Sequence, residues 1–394
     1  MDARRLLYDA SAASWQSGHA RDCKSRYPGS TPGEASNWPL RDRIQAGEMA
    51  QPDRSNPGGD VDPPEHGGNL SYASRRHGEP ASGWLDLSTG INPVPFPAPP
   101  VPPEALAHLP DRDALNALLA VARAAYGLPT TAAIAAAPGS EAALRLLPAI
   151  APPGTVAIVA PAYTSHADAW RAAGRIVLAA NSIDEIPDNA SIAVVGNPNN
   201  PDGRLYGPGQ LVALATRLGE RGGFLVVDEA FADTAPATSL MPVLDGKLPA
   251  VVLRSIGKFY GLAGLRLGFV AGIDTIVGRL ASLLGDWPVS GPAIAVARAA
   301  LADTDWQAAT RERLKQDMDR LQNIVDRHGL NAIGGTDLFL LVEDGAAAAI
   351  HRRLAERAIW TRIFAYEPRW LRLGLPPEEG VDRLDRALAE ILPG

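Results

Sequence analysis

Lys258 stands in the run Leu253-Arg254-Ser255-Ile256-Gly257-Lys258, and Gly261-Leu262-Ala263-Gly264-Leu265-Arg266-Leu267-Gly268 begins three residues later. A lysine amine can close a Schiff base on an aldehyde. Ser255 and Arg266 can converge on a phosphate, one as a hydroxyl donor and the other as a cationic fork. The glycines let the chain turn tightly and approach a ligand. A lone lysine in a chain with 37 Lys plus Arg reads as a solvated surface group. Three distant motifs set this one apart.

The first is Leu225-Val226-Val227-Asp228-Glu229-Ala230-Phe231, an apolar run after Gly222-Gly223 that ends in an acid. Such a run predicts a buried parallel strand, and ligands of open α/β sheets lie beyond the carboxyl ends of their strands. Asp228 is thereby placed to reach a ligand, and a carboxylate against a pyridine nitrogen keeps that ring protonated. The second is Ala193-Val194-Val195-Gly196-Asn197-Pro198-Asn199-Asn200-Pro201, a strand entering a polar loop in which Asn200 can donate to a ring oxygen. The third is Ala137-Pro138-Gly139-Ser140-Glu141-Ala142, a glycine turn opening a helix whose first N–H groups form an anion site. Amine, phosphate ligands, acid and amide together are what pyridoxal 5'-phosphate requires. Each part has a plainer reading alone: Asp228 as a helix cap, Asn200 as a turn residue, Ser140 as an N-cap.

In this order the four motifs resemble the aspartate-aminotransferase-type (fold type I) pyridoxal-phosphate enzymes over roughly residues 62 to 390. The resemblance implies Lys258 as the Schiff-base lysine, Asp228 as the ring-nitrogen partner and Asn200 as the ring-oxygen ligand. Gly139, Ser140, Glu141, Ser255 and Arg266 fall on its cofactor-binding positions. Tyr163 in Pro161-Ala162-Tyr163 matches the aromatic that stacks on the cofactor, and Arg372 in Trp370-Leu371-Arg372 matches the arginine that grips an α-carboxylate. It also implies an α/β fold: a large domain on a mainly parallel seven-stranded sheet, a smaller α+β domain, and a homodimer.

His66-Gly67-Gly68-Asn69 and Asp86-Leu87-Ser88-Thr89-Gly90-Ile91-Asn92-Pro93 resemble the N-terminal arm of the threonine-phosphate decarboxylases of cobalamin biosynthesis. That closer resemblance implies His66, Gly67, Gly68, Asn92, Asn200, Arg362 and Arg372 as substrate-binding residues. The two arginines would clamp the two anionic groups of a small phosphorylated amino acid. The expected reaction is loss of CO2 from L-threonine O-3-phosphate, giving (R)-1-amino-2-propanol O-2-phosphate. An aminotransferase acting on histidinol phosphate or a related phosphorylated amine is the alternative, and a catalytically silent binding protein is a more distant one. The chain departs from the wider pattern twice. Phe231 stands where many relatives have tyrosine, and Leu109-Pro110 stands where a Tyr-Pro step reaches the neighbouring subunit's cofactor phosphate.

The elements that must position these groups follow from composition and periodicity. A chain of 394 residues with 46% hydrophobic content supports more than one domain. A net charge of −7 gives no basic footprint for nucleic acid. No apolar run reaches the roughly 18 residues of a membrane span. The single cysteine, Cys23, excludes an internal disulfide or a cysteine-built metal cluster, and no metal is expected. A cytoplasmic setting is the default expectation. Residues 1–60 are rich in Ser, Gly, Pro, Asp and Arg and read as a disordered extension, with Met49 as an alternative start. Residues 61–108 read as an arm and part of a small domain, with an extended proline-dense stretch at 93–103. Residues 109–287 read as the large cofactor-binding domain of alternating strands and helices, including a helix at 209–220. Residues 288–394 read as a long helix over 291–329 and a C-terminal lobe with strands at 336–343 and 369–375 around a helix at 345–357.

Overall fold

The computed structural model describes residues 66–392. The expected disorder of residues 1–60 and the alternative start at Met49 lie outside the described residues. After a two-residue strand, β1 (Leu85–Asp86), come seven strands that form one sheet: β2 (Ala133–Ala137), β3 (Thr155–Val159), β4 (Val177–Ala180), β5 (Ala190–Gly196), β6 (Phe224–Asp228), β7 (Ala250–Ser255) and β8 (Gly268–Gly272). Their order is β2-β8-β7-β6-β5-β3-β4. All neighbours run parallel except β8, which is antiparallel to both β2 and β7. The expected mainly parallel seven-stranded sheet is what the chain forms.

The strands read as continuous apolar runs because both faces are covered. With a period of two, Leu225 and Val227 of β6 enter one apolar cluster while Phe224 and Val226 enter another. The helices Ser140–Ile150, Thr164–Ala172 and Asp274–Leu284 supply Leu144, Leu147, Trp170, Ile276 and Leu280 to the second cluster. The first cluster continues from Leu225 and Val252 through Leu118, Leu211 and Ile294 to Leu340, Leu371 and Leu373. One apolar body therefore joins the large sheet to the C-terminal strands.

Those strands are β9 (Asn331–Thr336), β10 (Phe339–Glu343), β11 (Ile359–Trp360), β12 (Arg362–Phe364) and β13 (Glu367–Gly374). Four of them make an antiparallel sheet in the order β12-β13-β10-β9, while β11 pairs in parallel with β1. The structure corrects two expectations here. The helix expected over 291–329 is two helices, Gly291–Ala302 and Thr304–Arg327, because Asp303 leaves helical geometry and accepts the Trp306 N–H at 2.9 Å. The glycine-rich run Asn331–Thr336, absent from the sequence-based expectation, is a strand that pairs with β10 through a bulge.

β9 also touches the loop after β5. The Gly335 N–H donates to the Asp202 carbonyl at 3.1 Å. Gly203 has φ +73°, and a Cβ placed on it would sit 1.7 Å from the Gly335 carbonyl oxygen. Gly203→Ala should therefore cost about 1–2 kcal/mol from handedness alone, plus the displacement of β9. A urea midpoint identical to that of the parent chain would refute this contact.

Candidate active site

The carboxyl ends of four parallel strands open on one cavity of about 360 Å3. β3 delivers Tyr163 to it, β5 delivers Asn200, β6 ends in Asp228, and β7 ends in Ser255 ahead of Lys258. His66, Gly67, Gly68, Gly139, Ser140, Glu141, Arg266, Arg362 and Arg372 line the same space. Asn92 is the exception. Its amide donates to the Phe259 carbonyl at 2.8 Å, and its oxygen accepts from Val94 N–H at 3.0 Å and Arg313 at 2.6 Å. Only 2% exposed and bonded in this way, Asn92 does not line the cavity where a substrate would sit.

At one end of the cavity the Asp228 carboxylate receives His166 Nε2 at 3.1 Å and the Ala230 N–H at 3.1 Å. An ionised carboxylate only accepts, so Nε2 carries the proton in this contact. His166 is nearly fully buried, and its Nδ1 has no hydrogen-bond partner. Sequence reasoning missed His166. Its one available signal is its position three residues after Tyr163, near the start of the helix Thr164–Ala172.

Beneath Asp228, Arg254 of β7 bonds Glu229 at 3.0 Å and also Asp233, while Glu229 accepts the Leu240 N–H at 2.6 Å and the Ser239 hydroxyl. All three charged groups are buried. Removing one would strand the others, so the trio fixes the ends of β6 and β7 relative to each other.

At the other end, Gly139 turns with φ +84° into the helix Ser140–Ile150, and the Arg266 guanidinium lies over it. A Cβ on Gly139 would lie 3.0 Å from Arg266 Nη2, and one on Gly268 would lie 2.4 Å from the Ser140 nitrogen. The helix start, the Ser255 hydroxyl and the Arg266 guanidinium thus form one anion cradle. Glu141 contributes its place in the first turn, since its carboxylate is drawn to Arg145 at 2.6 Å. Acid at one end, anion cradle at the other and Lys258 between them fit pyridoxal phosphate. Asp228 with His166 would hold its ring nitrogen, Tyr163 would flank its ring, Ser140, Ser255 and Arg266 would hold its phosphate, and Lys258 would meet its aldehyde.

Burial pushes the Lys258 amine down to about 8, with the Arg372 and Arg266 guanidiniums acting the same way and Asp228 opposing them. The amine lies 5.6 Å from the centroid of the Phe231 ring, whose edge-to-face partner is Phe339 at 5.1 Å. Phe231 thus faces Lys258 with an aromatic surface that has no hydroxyl to offer.

The third side belongs to two arginines. Arg362 of β12 and Arg372 of β13 are direct cross-strand partners. Arg372 donates to the Ser88 carbonyl at 2.8 Å and to the Asn200 side-chain oxygen at 2.6 Å, and its Nε is buried with no partner. Asn200 is thus oriented by Arg372. Burial lowers the Arg372 guanidinium to about 10, with the like charge of Arg362 adding to the effect. The two cations lie over aromatic faces, Arg362 at 5.3 Å from Phe364 and Arg372 at 5.0 Å from Phe339. Tyr366, also absent from the expected set, lines the cavity beside them. His66 borders the opening, 3.5 Å from the Ser165 hydroxyl and 5.1 Å between ring centroids from Tyr163. Gly67 packs against Ser88, whose hydroxyl accepts the Gly68 N–H at 2.8 Å.

A lowered amine is half neutral near pH 8, where an ordinary lysine is almost wholly protonated and unreactive. Acetic anhydride labelling of the cofactor-free protein across pH, read peptide by peptide, should therefore give Lys258 a midpoint near 8. A midpoint in the ordinary lysine range, about 10.4, would show that water reaches this amine freely.

Residues 107–390 match the family described as aminotransferase class I and II. The threonine-phosphate decarboxylase of Pseudomonas aeruginosa is 44% identical over 327 residues, covering 82% of this chain and 97% of the relative. The corresponding protein of Sinorhizobium sp is 42% identical, covering 83% of this chain and 98% of the relative. Among solved structures, histidinol-phosphate aminotransferase from Sinorhizobium meliloti in complex with pyridoxal-5'-phosphate superposes with a TM-score of 0.69 at 23% identity, covering 82% of this chain and 94% of that one. With its parallel-sheet fold, its lysine and its match over 107–390, the chain belongs to the class I and II aminotransferase family.

Proposed function

We propose that the protein is a pyridoxal-phosphate-dependent decarboxylase that converts L-threonine O-3-phosphate to (R)-1-amino-2-propanol O-2-phosphate and CO2, a step of cobalamin biosynthesis. The observation that carries this reading is the arginine pair. A substrate with a carboxylate and a phosphate needs two cationic clamps, and Arg372 and Arg362 face one cavity from adjacent strands. The two relatives above, matched over almost their whole lengths, bear the same activity in their names.

When bound, pyridoxal phosphate supplies an aldehyde for the substrate amine and a protonated ring that accepts the electron pair left behind as CO2 departs. The chain's own residues do the rest. Asp228, held by His166, keeps a negative charge where the ring nitrogen must stay protonated. Arg372 and Arg362 orient the carboxylate and phosphate so that the Cα–carboxylate bond is the one that breaks. Lys258 Nζ, with a pKa near 8, is poised to take up a proton and return it to Cα. Phe364, Tyr366 and the His66–Gly68 arm surround the anionic end and limit its access to water.

Among the described residues no helix is long and apolar enough to cross a membrane. We further infer a homodimer working in the cytoplasm. Leu106, Leu109 and Trp287, which are 74%, 67% and 59% exposed, supply apolar surface for a second copy.

Phosphothreonine alone should turn over many times, releasing CO2 and leaving the cofactor as the aldehyde. A single stoichiometric burst that only a ketoacid restarts would replace this reading with an aminotransferase acting on histidinol phosphate or a related amine. Arg362→Ala should lower kcat/KM for phosphothreonine by about 100-fold or more, since losing one partner of a charged contact costs about 3 kcal/mol. Residual activity on threonine should fall far less, and equal losses on both substrates would remove Arg362 from the phosphate site. Lys258→Ala should abolish turnover together with the visible absorbance of the loaded protein.

A further inference from the structure

The turn that carries Lys258 is braced along its length by a second piece of chain. The Asn92 N–H donates to the Lys258 carbonyl at 3.0 Å, and the Phe96 N–H donates to the Tyr260 carbonyl at 2.9 Å. Between them the Asn92 side-chain amide donates to the Phe259 carbonyl at 2.8 Å. The fit is close: a Cβ on Gly261 would stand 2.7 Å from Pro95 Cα and 2.9 Å from the Asn92 carbonyl oxygen. Every carbonyl from Lys258 to Tyr260 is therefore held by the segment 92–96.

What keeps the Asn92 amide facing the right way comes from outside this segment. Amide oxygen and nitrogen differ little in size, so only hydrogen-bond polarity fixes the orientation. Arg313, on the helix Thr304–Arg327, donates through Nη2 to the Asn92 oxygen at 2.6 Å. Its Nη1 is anchored to Asp317 at 2.6 Å. A flipped amide would set its NH2 against the guanidinium and its oxygen against the Phe259 carbonyl, two repulsions in place of two bonds.

We infer that Asn92 and Arg313 are positioning residues for Lys258, with the helix Thr304–Arg327 fixing the turn that holds the reactive amine. The inference rests on Lys258 being that amine. It places Asn92 outside substrate contact while keeping it necessary for turnover. The groups that face Lys258 within the cavity, Asp228, Arg372 and Arg266, are not altered by removing Arg313, so any change in the amine must travel through the turn.

Arg313→Met, Arg313→Ala and Arg320→Met separate this role from simple support of the helix. Arg320 shares Asp317 with Arg313 and pairs with Glu378 at 2.7 Å, but it bonds neither Asn92 nor the turn. Two readouts are needed. The first is acetic anhydride labelling of Lys258 in the cofactor-free full-length protein, and the second is kcat and KM for phosphothreonine in the loaded protein. Both Arg313 variants should raise the Lys258 midpoint from about 8 toward ordinary lysine, as water enters a loosened turn. Both should lower kcat about tenfold with KM changed less than about twofold, the pattern of lost positioning rather than lost binding. Arg320→Met should match the parent in both. A soluble Arg313 variant with parental midpoint and kcat would overturn the inference, as would an Arg320→Met variant with the same losses. The labelling readout does not depend on which reaction the enzyme performs, so a failed decarboxylase assay leaves it intact.

Discussion

Arg372 is the point on which the site depends. It lies on β13 inside the protein and faces Arg362, a like charge directly across the strand, which in a sheet is destabilising. Three things offset that cost: the Ser88 carbonyl, the Asn200 amide oxygen and the face of Phe339. Hydrogen bonds to a charged donor are each worth about 1.5–3 kcal/mol. Each of these contacts also belongs to a different part of the chain. Ser88 carries the arm that holds Gly67 and Gly68, Asn200 lies in the loop after β5, and Phe339 begins β10. Satisfying one buried cation therefore assembles the three walls of the cavity.

The opposite wall is organised by the parallel sheet. Apolar strands stacked without side-chain choice at their interiors bring Tyr163, Asn200, Asp228 and Ser255 to a common edge, because parallel strands all end on the same side. The buried Arg254–Glu229–Asp233 trio ties two of those ends together where side-chain packing alone would leave them free to slide. Under the proposed function, cofactor chemistry falls to the sheet edge and selection of the anionic substrate to the C-terminal strands. One fold can host different chemistries because function lives in such sites rather than in the fold itself.

Much of this was legible in the sequence because strand-end residues announce themselves. Asp228 and Asn200 each follow an unbroken apolar run, and Lys258 is framed by Ser255, Gly257 and Arg266 at short range. The residues that escaped are those whose roles arise only from packing. His166 meets Asp228 across two strand ends, and its place three residues after Tyr163 is the one cue the sequence offers. Asn92 sits in a motif that implies ligand binding, yet its side chain bonds a carbonyl and a guanidinium from 167 and 221 residues away. The run Asn331–Thr336 carries two glycines and little apolar alternation, so its strand character comes from β10 rather than from its own side chains. Asp303 ends one helix and begins the next through a single capping bond that periodicity does not reveal.

The contact between Asp202–Gly203 and Gly334–Gly335 is backbone on backbone. A joint of that kind has no rotamers with which to absorb movement, so it transmits displacement without slack. β9 is thereby joined to a loop whose other residues, Asn199 and Arg204, bond the Pro161 and Ala160 carbonyls just beyond β3. Arg372 lies on the same sheet as β9. The Arg372–Asn200 bond therefore crosses the same junction as the glycine joint, between the C-terminal sheet and the loop after β5.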